Sequence, residues 1–147
     1  MTKVTMHFSI EELYASQTAK AKGIDNKPDF PSLINLVYLC AYVLEPLRVA
    51  MNEPIKIGSG YRCPKLNAAV GGVSNSQHMK GQAVDLCIDG DLKKGKKWFA
   101  YIRDHLPFDQ LIWEHNSRTG AYWVHVSFVY PDFGKNRRKV IDLLEKK

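Results

Sequence analysis

Four polar side chains could assemble a hydrolytic metal centre: His78, Asp85, Glu114 and His125. Two imidazoles and one carboxylate form a three-ligand set for Zn²⁺, and catalytic zinc sites of this kind keep a fourth position for water. Bound zinc lowers the pKa of that water to about 7, and a carboxylate outside the ligand set can then act as general base. The two histidines and Asp85 are therefore candidate ligands, and Glu114 is the candidate base.

Strand periodicity places three of these residues on one face of a predicted sheet. Side chains alternate between the two faces of a strand, so Asp85 and His125 lie opposite their apolar neighbours. Glu114 shares its face with Gln110 and Ile112. If the strands are neighbours, one face presents all three groups, and the histidine of the loop before the Asp85 strand can reach it. The predicted strands are Gln82–Ile88, Asp109–Glu114 and Tyr122–Val129.

A metal site is one of two interpretations of this pattern. A histidine on a strand is often a hydrogen-bonded structural residue, and a histidine and an aspartate seven positions apart occur by chance in many proteins. The shared face favours the metal site, but the residues alone leave both interpretations open.

The other segments predict that helices come first and strands follow. Ser9 and Glu12 have capping-box spacing, which predicts a helix to about Lys22. Apolar residues recur at helical spacing over Leu33–Leu47, and Pro46 should kink or divide that helix. This order indicates the α+β class with an antiparallel sheet, in one domain spanning residues 1–147. Further predicted elements are a strand at Ile55–Ile57, helices at Pro64–Val70 and Asp91–His105, and a strand or helix at Arg137–Leu144.

The composition is that of a globular protein with an excess of positive charge. The chain has 147 residues with 21 Lys and Arg against 15 Asp and Glu, a net charge of +6 and a pI of about 9.2. This balance suggests an anionic partner: nucleic acid, an acidic membrane surface or an acidic polymer. Basic runs at residues 93–97 and 135–139 could contact nucleic acid, but no nucleic-acid-binding motif accompanies them, and a solvated surface is expected instead.

Targeting, membrane and cysteine signals are weak. Residues 1–22 lack the apolar run of a signal peptide, so the mature protein is expected to start near Met1. The longest uncharged run, Phe30–Leu44, has 15 residues and falls short of the roughly 20 that a membrane span requires. Cys40, Cys63 and Cys87 match neither a disulfide framework nor a CxxC metal site, and are expected to be reduced thiols.

A longer motif carries a more specific signal. The segment from Ser59 to Asp85 reads SGYRCPKLNAAVGGVSNSQHMKGQAVD. Its SGYR, GG, SxH and HxxGxAxD motifs closely resemble the zinc D-alanyl-D-alanine carboxypeptidase family, in a wider group with lysostaphin-type endopeptidases and the amino-terminal domain of Hedgehog proteins. FDQLIWE and WVHVSF resemble the rest of that family's site. The resemblance covers nearly the whole chain, is closest to single-domain members from bacteria and phages, and implies N-terminal helices packed on a small antiparallel sheet that carries the zinc site.

The resemblance also implies a role for individual residues. It makes His78, Asp85 and His125 the zinc ligands, and Arg62 of SGYR the residue that holds the substrate's carboxylate or carbonyl oxygen. A planar guanidinium suits this role because it can grip a carboxylate with two parallel hydrogen bonds. Ser76 and Gln77 come just before His78. We expect them to contact substrate, to orient the loop that carries this ligand, or only to form that loop.

One departure from the family pattern concerns the base. Many relatives have an acidic residue three positions before the last histidine ligand, where this chain has Tyr122. Glu114 is therefore the expected base, and His115 is the rival, because some relatives use a histidine. Strand alternation places His115 on the face away from Glu114. Aromatic residues expected either to line the cleft or to pack in the core are Tyr61, Trp113 and Trp123.

These observations predict a zinc peptidase that hydrolyses peptidoglycan stem peptides, either as a D-Ala-D-Ala carboxypeptidase or as an L-Ala–D-Glu-type endopeptidase. The alternative is a non-catalytic cell-wall-binding module with the same fold. We expect a monomer that binds no nucleic acid and does not span a membrane. Without a signal peptide it should be cytoplasmic at synthesis, and either act on recycled wall peptides or reach the wall as a phage or prophage lysin.

Overall fold

The structure is a computed structural model in which residues 2–131 and 133–142 are described. The α-helices are α1 (Gln17–Lys22), α2 (Phe30–Leu39), α3 (Glu45–Met51), α4 (Pro64–Ala69) and α5 (Leu92–His105). The strands are β1 (Lys56–Ser59), β2 (Ala83–Cys87), β3 (Gln110–Asn116), β4 (Ala121–Ser127) and β5 (Lys139–Asp142). These helices and strands largely follow the predicted order: α1 to α3 precede the first strand, and α4 and α5 lie between strands. A π-helical turn spans Cys40–Leu44, and 3₁₀ turns span Glu11–Leu13, Gln77–Lys80 and Phe133–Lys135.

The strands form one sheet in the order β1-β2-β4-β3-β5. Neighbours pair antiparallel except for β3 and β5, which run parallel. The prediction of an antiparallel sheet is therefore wrong at that edge, where the Lys139 amide donates to the Asp109 carbonyl (2.9 Å) and starts the parallel pairing. The sequence predicts either a strand or a helix over Arg137–Leu144, and the structure has a strand at Lys139–Asp142. The rest of that prediction, beyond residue 142, lies outside the described residues.

The first predicted helix is interrupted. The capping-box contact is present, since the Ser9 amide donates to Glu12 Oε2 (2.9 Å), but only a 3₁₀ turn follows. The Leu13 carbonyl accepts a hydrogen bond from the Tyr61 amide (2.8 Å), and Ser16 then caps a separate helix by accepting from the amide of Ala19. The prediction of one continuous helix to Lys22 is therefore wrong. The Leu13 carbonyl, at the end of the first turn, bonds to the distant Tyr61 amide instead of continuing the helix.

The sequence predicts that Pro46 kinks or divides the helical stretch from Phe30 to Met51, but the break lies just before it, where the π-helical turn Cys40–Leu44 separates α2 from α3. Proline has no amide hydrogen, and the π-helical turn just before it shifts the bonding, so that the Glu45 amide donates to the Cys40 carbonyl. By length (22 residues) and composition this stretch could cross a membrane, a test that core helices also pass. Its apolar side packs in the core. The fully buried members include Leu36, Leu39, Cys40, Val43, Leu44 and Leu47.

The sheet has one apolar face and one polar face. Side chains from α2, α3 and α5 join the apolar face in a single core, where Phe99 of α5 meets Trp113 of β3 edge to face (centroids 6.1 Å apart). Burial of this face holds the strands in register, because a shift by one residue would expose it. The polar face is left for the candidate site. Strand residues on the apolar face include Val84, Leu86, Leu111, Trp113, Val124 and Val126.

Candidate metal centre

The polar face brings together the side chains that strand alternation had grouped. Asp85 of β2 lies directly opposite His125 of β4, and His125 lies opposite Ile112 of β3. Glu114 follows two residues after Ile112 on the same face, with its Oε1 at 4.0 Å from His125 Nδ1. The 3₁₀ turn Gln77–Lys80 supplies His78 from just before β2.

Asp85 stands between the two histidines. Its Oδ1 lies 2.9 Å from His125 Nδ1, and its Oδ2 lies 3.3 Å from His78 Nε2. One potential ligand atom from each of the three residues lies within 4.8 Å of the other two, and both imidazoles are buried. Two imidazole nitrogens and a carboxylate oxygen at this separation fit a zinc ion with three protein ligands.

A backbone contact fixes which nitrogen of His78 faces the centre. His78 Nδ1 lies 2.7 Å from the Gly60 carbonyl oxygen. Because a carbonyl can only accept a hydrogen bond, Nδ1 carries a proton, and Nε2 is the nitrogen that faces Asp85. Such a contact to the remote nitrogen is typical of metal-ligating histidines.

The turn that carries His78 is held from two sides. The Ser76 hydroxyl accepts a hydrogen bond from the His78 amide (3.1 Å) and caps the turn. The Gln77 side-chain amide donates to Asp109 Oδ2 (3.0 Å), on the segment leading into β3. Ser76 and Gln77 thus hold in place the turn that carries His78, and both also line the cleft described below.

The pKa values of the two carboxylates near the centre are shifted in opposite directions. Burial alone would raise the pKa of Asp85, but hydrogen bonds from His125 and His78 outweigh it and hold that pKa well below its usual range. Asp85 therefore stays ionised, as a ligand must. Burial raises the pKa of Glu114, an effect that nearby His125 partly offsets and the Asp85 carboxylate reinforces.

Arg62 is fixed beside the centre by three acceptors. Its Nη2 lies 3.5 Å from Asp85 Oδ2, its Nε donates to Ser59 Oγ (3.2 Å), and its Nη1 donates to Asn67 Oδ1 (3.1 Å). Asn67 is buried and also donates to the Val73 carbonyl (2.8 Å). The guanidinium is thereby held in one orientation without a strong ion pair.

An open cleft of about 630 Å³ lies over these groups. It is lined by Arg62, Ser76, Gln77, His78, Asp85, Glu114, Trp123 and His125, so every residue predicted to bind metal or substrate or to act as base borders one space. His115 and Tyr122 do not line it: they pair across β3 and β4, alternate with the cleft-lining Glu114 and Trp123, and stack on each other (centroids 4.2 Å apart). The expectation of a cleft-lining aromatic residue holds for Trp123, whereas Tyr61 and Trp113 are buried in the core.

Sequence reasoning missed three residues of the site: Asn67, Asp109 and Arg137. Asn67 anchors Arg62, and Asp109 holds both Gln77 and the cleft-lining Arg137. Asn67 stood inside the quoted motif, and Asp109 inside FDQLIWE, but neither has a local pattern that names its partner. Their contacts depend on the folded chain.

An α+β domain with two histidines, two carboxylates and an arginine in one cleft defines a candidate metallohydrolase. A family model described as Peptidase M15 matches residues 6–127, and the chain belongs to that family. A zinc D-Ala-D-Ala carboxypeptidase from Streptomyces albus G is 48% identical over 44 residues, which are 29% of this chain and 17% of that protein. The family resemblance stated from the motifs is thus confirmed. These similarities support a zinc peptidase in general, with Zn²⁺ as its cofactor.

Proposed function

We propose that this protein is a zinc peptidase that hydrolyses peptidoglycan stem peptides, with zinc held by His78, Asp85 and His125. The observation that carries the proposal is the convergence of these donor groups in one cleft beside Glu114 and Arg62. Membership of a peptidase family supports the reaction class.

Each residue has a defined task in this reaction. Zinc held by His78, Asp85 and His125 would supply Lewis-acid chemistry, lowering the pKa of water and polarising the scissile carbonyl. Glu114 accepts a proton from the attacking water and returns it to the leaving amine, a role suited to a carboxylate whose pKa is raised by burial. Arg62 binds a carboxylate or carbonyl oxygen of the substrate and positions the peptide.

Carboxypeptidase action on a terminal D-Ala-D-Ala is the form of the activity that we favour. Arg62 already lies 3.5 Å from Asp85, so a carboxylate bound there would place the terminal peptide bond near the candidate ligands. The relative from Streptomyces albus G is named a zinc D-Ala-D-Ala carboxypeptidase, which supports cleavage at the same peptide bond here. L-Ala–D-Glu endopeptidase action is the second candidate, because it requires the same ligand set. We further propose that the protein acts as a monomer, either on wall peptides within the cell or on the wall after release.

The test combines metal analysis with product analysis. Purified protein should contain about one zinc per chain and release D-Ala from D-Ala-terminated muropeptides, as identified by mass spectrometry. His125→Ala should lose both metal and activity, whereas Glu114→Gln should keep the metal and lose activity. His115→Gln is the matched control, since its ring lies outside the cleft, and it should keep both.

Two results would contradict the proposal: no zinc in the purified protein, or unchanged turnover in His125→Ala. A protein that binds peptidoglycan and zinc but yields no cleavage product would instead be a non-catalytic wall-binding module. Cleavage between L-Ala and D-Glu with no release of D-Ala would replace the carboxypeptidase assignment with the endopeptidase one.

A further inference from the structure

A second cationic region lies in the cleft, apart from Arg62. Arg137, just before β5, lines the cleft together with Lys80 of the 3₁₀ turn. Lys80 makes no ion pair with any described residue. In the described part of the chain, the acidic side chains that line the cleft are Asp85 and Glu114, and both belong to the candidate metal centre. Carboxamide side chains lining the same cleft are Asn75, Gln77, Gln82 and Gln110.

Arg137 is held rigidly by the buried carboxylate of Asp109. Its Nε donates to Asp109 Oδ1 and its Nη2 to Oδ2, both at 2.8 Å, and its backbone amide donates to Oδ1 at 2.9 Å. The Asp109 side chain is 3% exposed, whereas that of Arg137 is 58% exposed. One edge of the guanidinium is therefore fixed, and the rest of the group remains accessible from the cleft. A guanidinium fixed in advance loses little conformational entropy when it binds an anion.

The sheet sets the separation between the two arginine sites. Arg62 contacts Asp85 on β2, and Arg137 contacts Asp109 just before β3, with β4 in between. Asp85 is level with Ile112, so Asp109 lies three residues further along the strand direction. Two strand spacings and three residues correspond to roughly 14 Å between the backbone positions of Asp85 and Asp109, the partners of the two arginines, or about four residues of extended peptide.

We propose that Arg137, held by Asp109 and assisted by Lys80, is a second carboxylate-binding subsite. The substrate is then a short acidic peptide with a carboxylate about four residues from the group bound by Arg62. This inference rests on the proposed function, because it takes Arg62 as the anchor of the other end. It narrows the substrate class, since a peptide with a neutral amide in place of that carboxylate would bind less well.

The test uses two sets of acetylated hexapeptides ending in D-Ala-D-Ala, with Glu or Gln at each internal position in turn. Calorimetry measures binding to the zinc-supplemented Glu114→Gln protein, which should not consume the peptide, and kinetics measure hydrolysis by the native protein. At one internal position, Glu should bind about tenfold more tightly than Gln, because a charge-assisted hydrogen bond is gained. Arg137→Gln should abolish this preference.

Two further variants separate the subsite from general charge effects. Lys139 lies two residues after Arg137, and its side chain is exposed and outside the cleft. Lys139→Gln therefore removes the same charge as Arg137→Gln but should keep the preference for Glu. Lys80→Gln should weaken the preference while leaving the Asp109 contacts intact, so it decides the matter if Arg137→Gln does not fold. Equal affinity for Glu and Gln at every position, or a preference that survives in both Arg137→Gln and Lys80→Gln, would overturn the proposal.

The two readouts distinguish failure of the subsite from failure of the proposed function. Hydrolysis without any preference for Glu would refute the subsite and leave the peptidase intact. A preference for Glu in binding, lost in Arg137→Gln but accompanied by no hydrolysis in the native protein, would support the subsite and refute the peptidase.

Discussion

Gly72 leaves the space that the anchor of Arg62 occupies. A methyl group at Gly72 would lie 2.1 Å from Asn67 Oδ1 and 2.9 Å from Arg62 Nη1, whereas ordinary van der Waals contact begins at 3.4 Å. The Asn67 carboxamide must therefore rotate away, which breaks its hydrogen bonds with Arg62 and with the Val73 carbonyl. We predict that Gly72→Ala displaces Arg62 and impairs both stability and substrate binding.

The size of the effect follows from the two bonds lost. A hydrogen bond to a charged group contributes about 1.5–3 kcal/mol and a neutral one about 1 kcal/mol, so the free energy of unfolding should fall by about 2.5–4 kcal/mol. For a domain of this size that corresponds to a fall in Tm of roughly 5–15 °C. Because Arg62 is proposed to anchor the substrate, kcat/KM for a D-Ala-terminated peptide should fall roughly tenfold or more.

Gly71 provides the matched control. It has a φ of +74°, and a methyl group there would meet nothing within 4 Å. Gly71→Ala should therefore cost about 1–2 kcal/mol of backbone strain while leaving Arg62 in place. Thermal unfolding should show a lower Tm for both variants, but kcat/KM should fall only for Gly72→Ala.

A double mutant tests the route through Asn67. Once Asn67→Ala has removed the carboxamide, adding Gly72→Ala should cause little further loss of kcat/KM. If the two losses add independently, or if Gly72→Ala alone retains the native kcat/KM, then Asn67 does not position Arg62 and the reasoning is wrong.

Three further predictions concern stability and reactivity. Hydrogen bonds from Arg137 lower the pKa of Asp109 from 3.8 to about 2, so its contribution of about 2 kcal/mol should be complete above pH 4 and be lost as the pH falls through 2. Unfolding free energies measured from pH 6 to pH 2 should show this slope in the native protein but not in Asp109→Asn. Leu44→Ala should cost about 2–5 kcal/mol in urea unfolding, because Leu44 is fully buried, and a loss under 1 kcal/mol would contradict the packing described. Burial raises the pKa of Cys40 to about 11, so a thiol reagent at pH 8 should label half-buried Cys87 first, and equal labelling rates would count against a buried Cys40.

The face on which each site residue lies could be predicted from the sequence because strand alternation is local. Asp85 and His125 lie opposite apolar neighbours in short, strongly alternating segments, and no knowledge of strand order is needed to place them on the polar face. The pairing of β2 with β4, and of β4 with β3, then makes these faces continuous. A loop residue carries no periodicity, so the sequence placed His78 only within reach of this face, and the motif resemblance then assigned it as a ligand.

Contacts between segments that are distant in the sequence could not be predicted from local residue patterns. Asp109 and Arg137 are 28 residues apart and meet only because β5 adds to the sheet beside β3. The parallel direction of β5 follows from that contact and from the neighbouring backbone bond of Lys139, not from any alternation in its own residues. The break in the first helix likewise depends on Tyr61, which follows Leu13 by 48 residues.

The two-faced sheet also limits how such a chain can change during evolution. In β4, Val124 and Val126 build the interior while His125, between them, serves the cleft. An insertion of one residue inside this strand would exchange the two sets of side chains, so function and folding would be lost together. The turn at residues 117–120 can lengthen without this exchange. Changes in length should therefore accumulate in the turns, and new specificities should arise by substitution around the rim of the cleft.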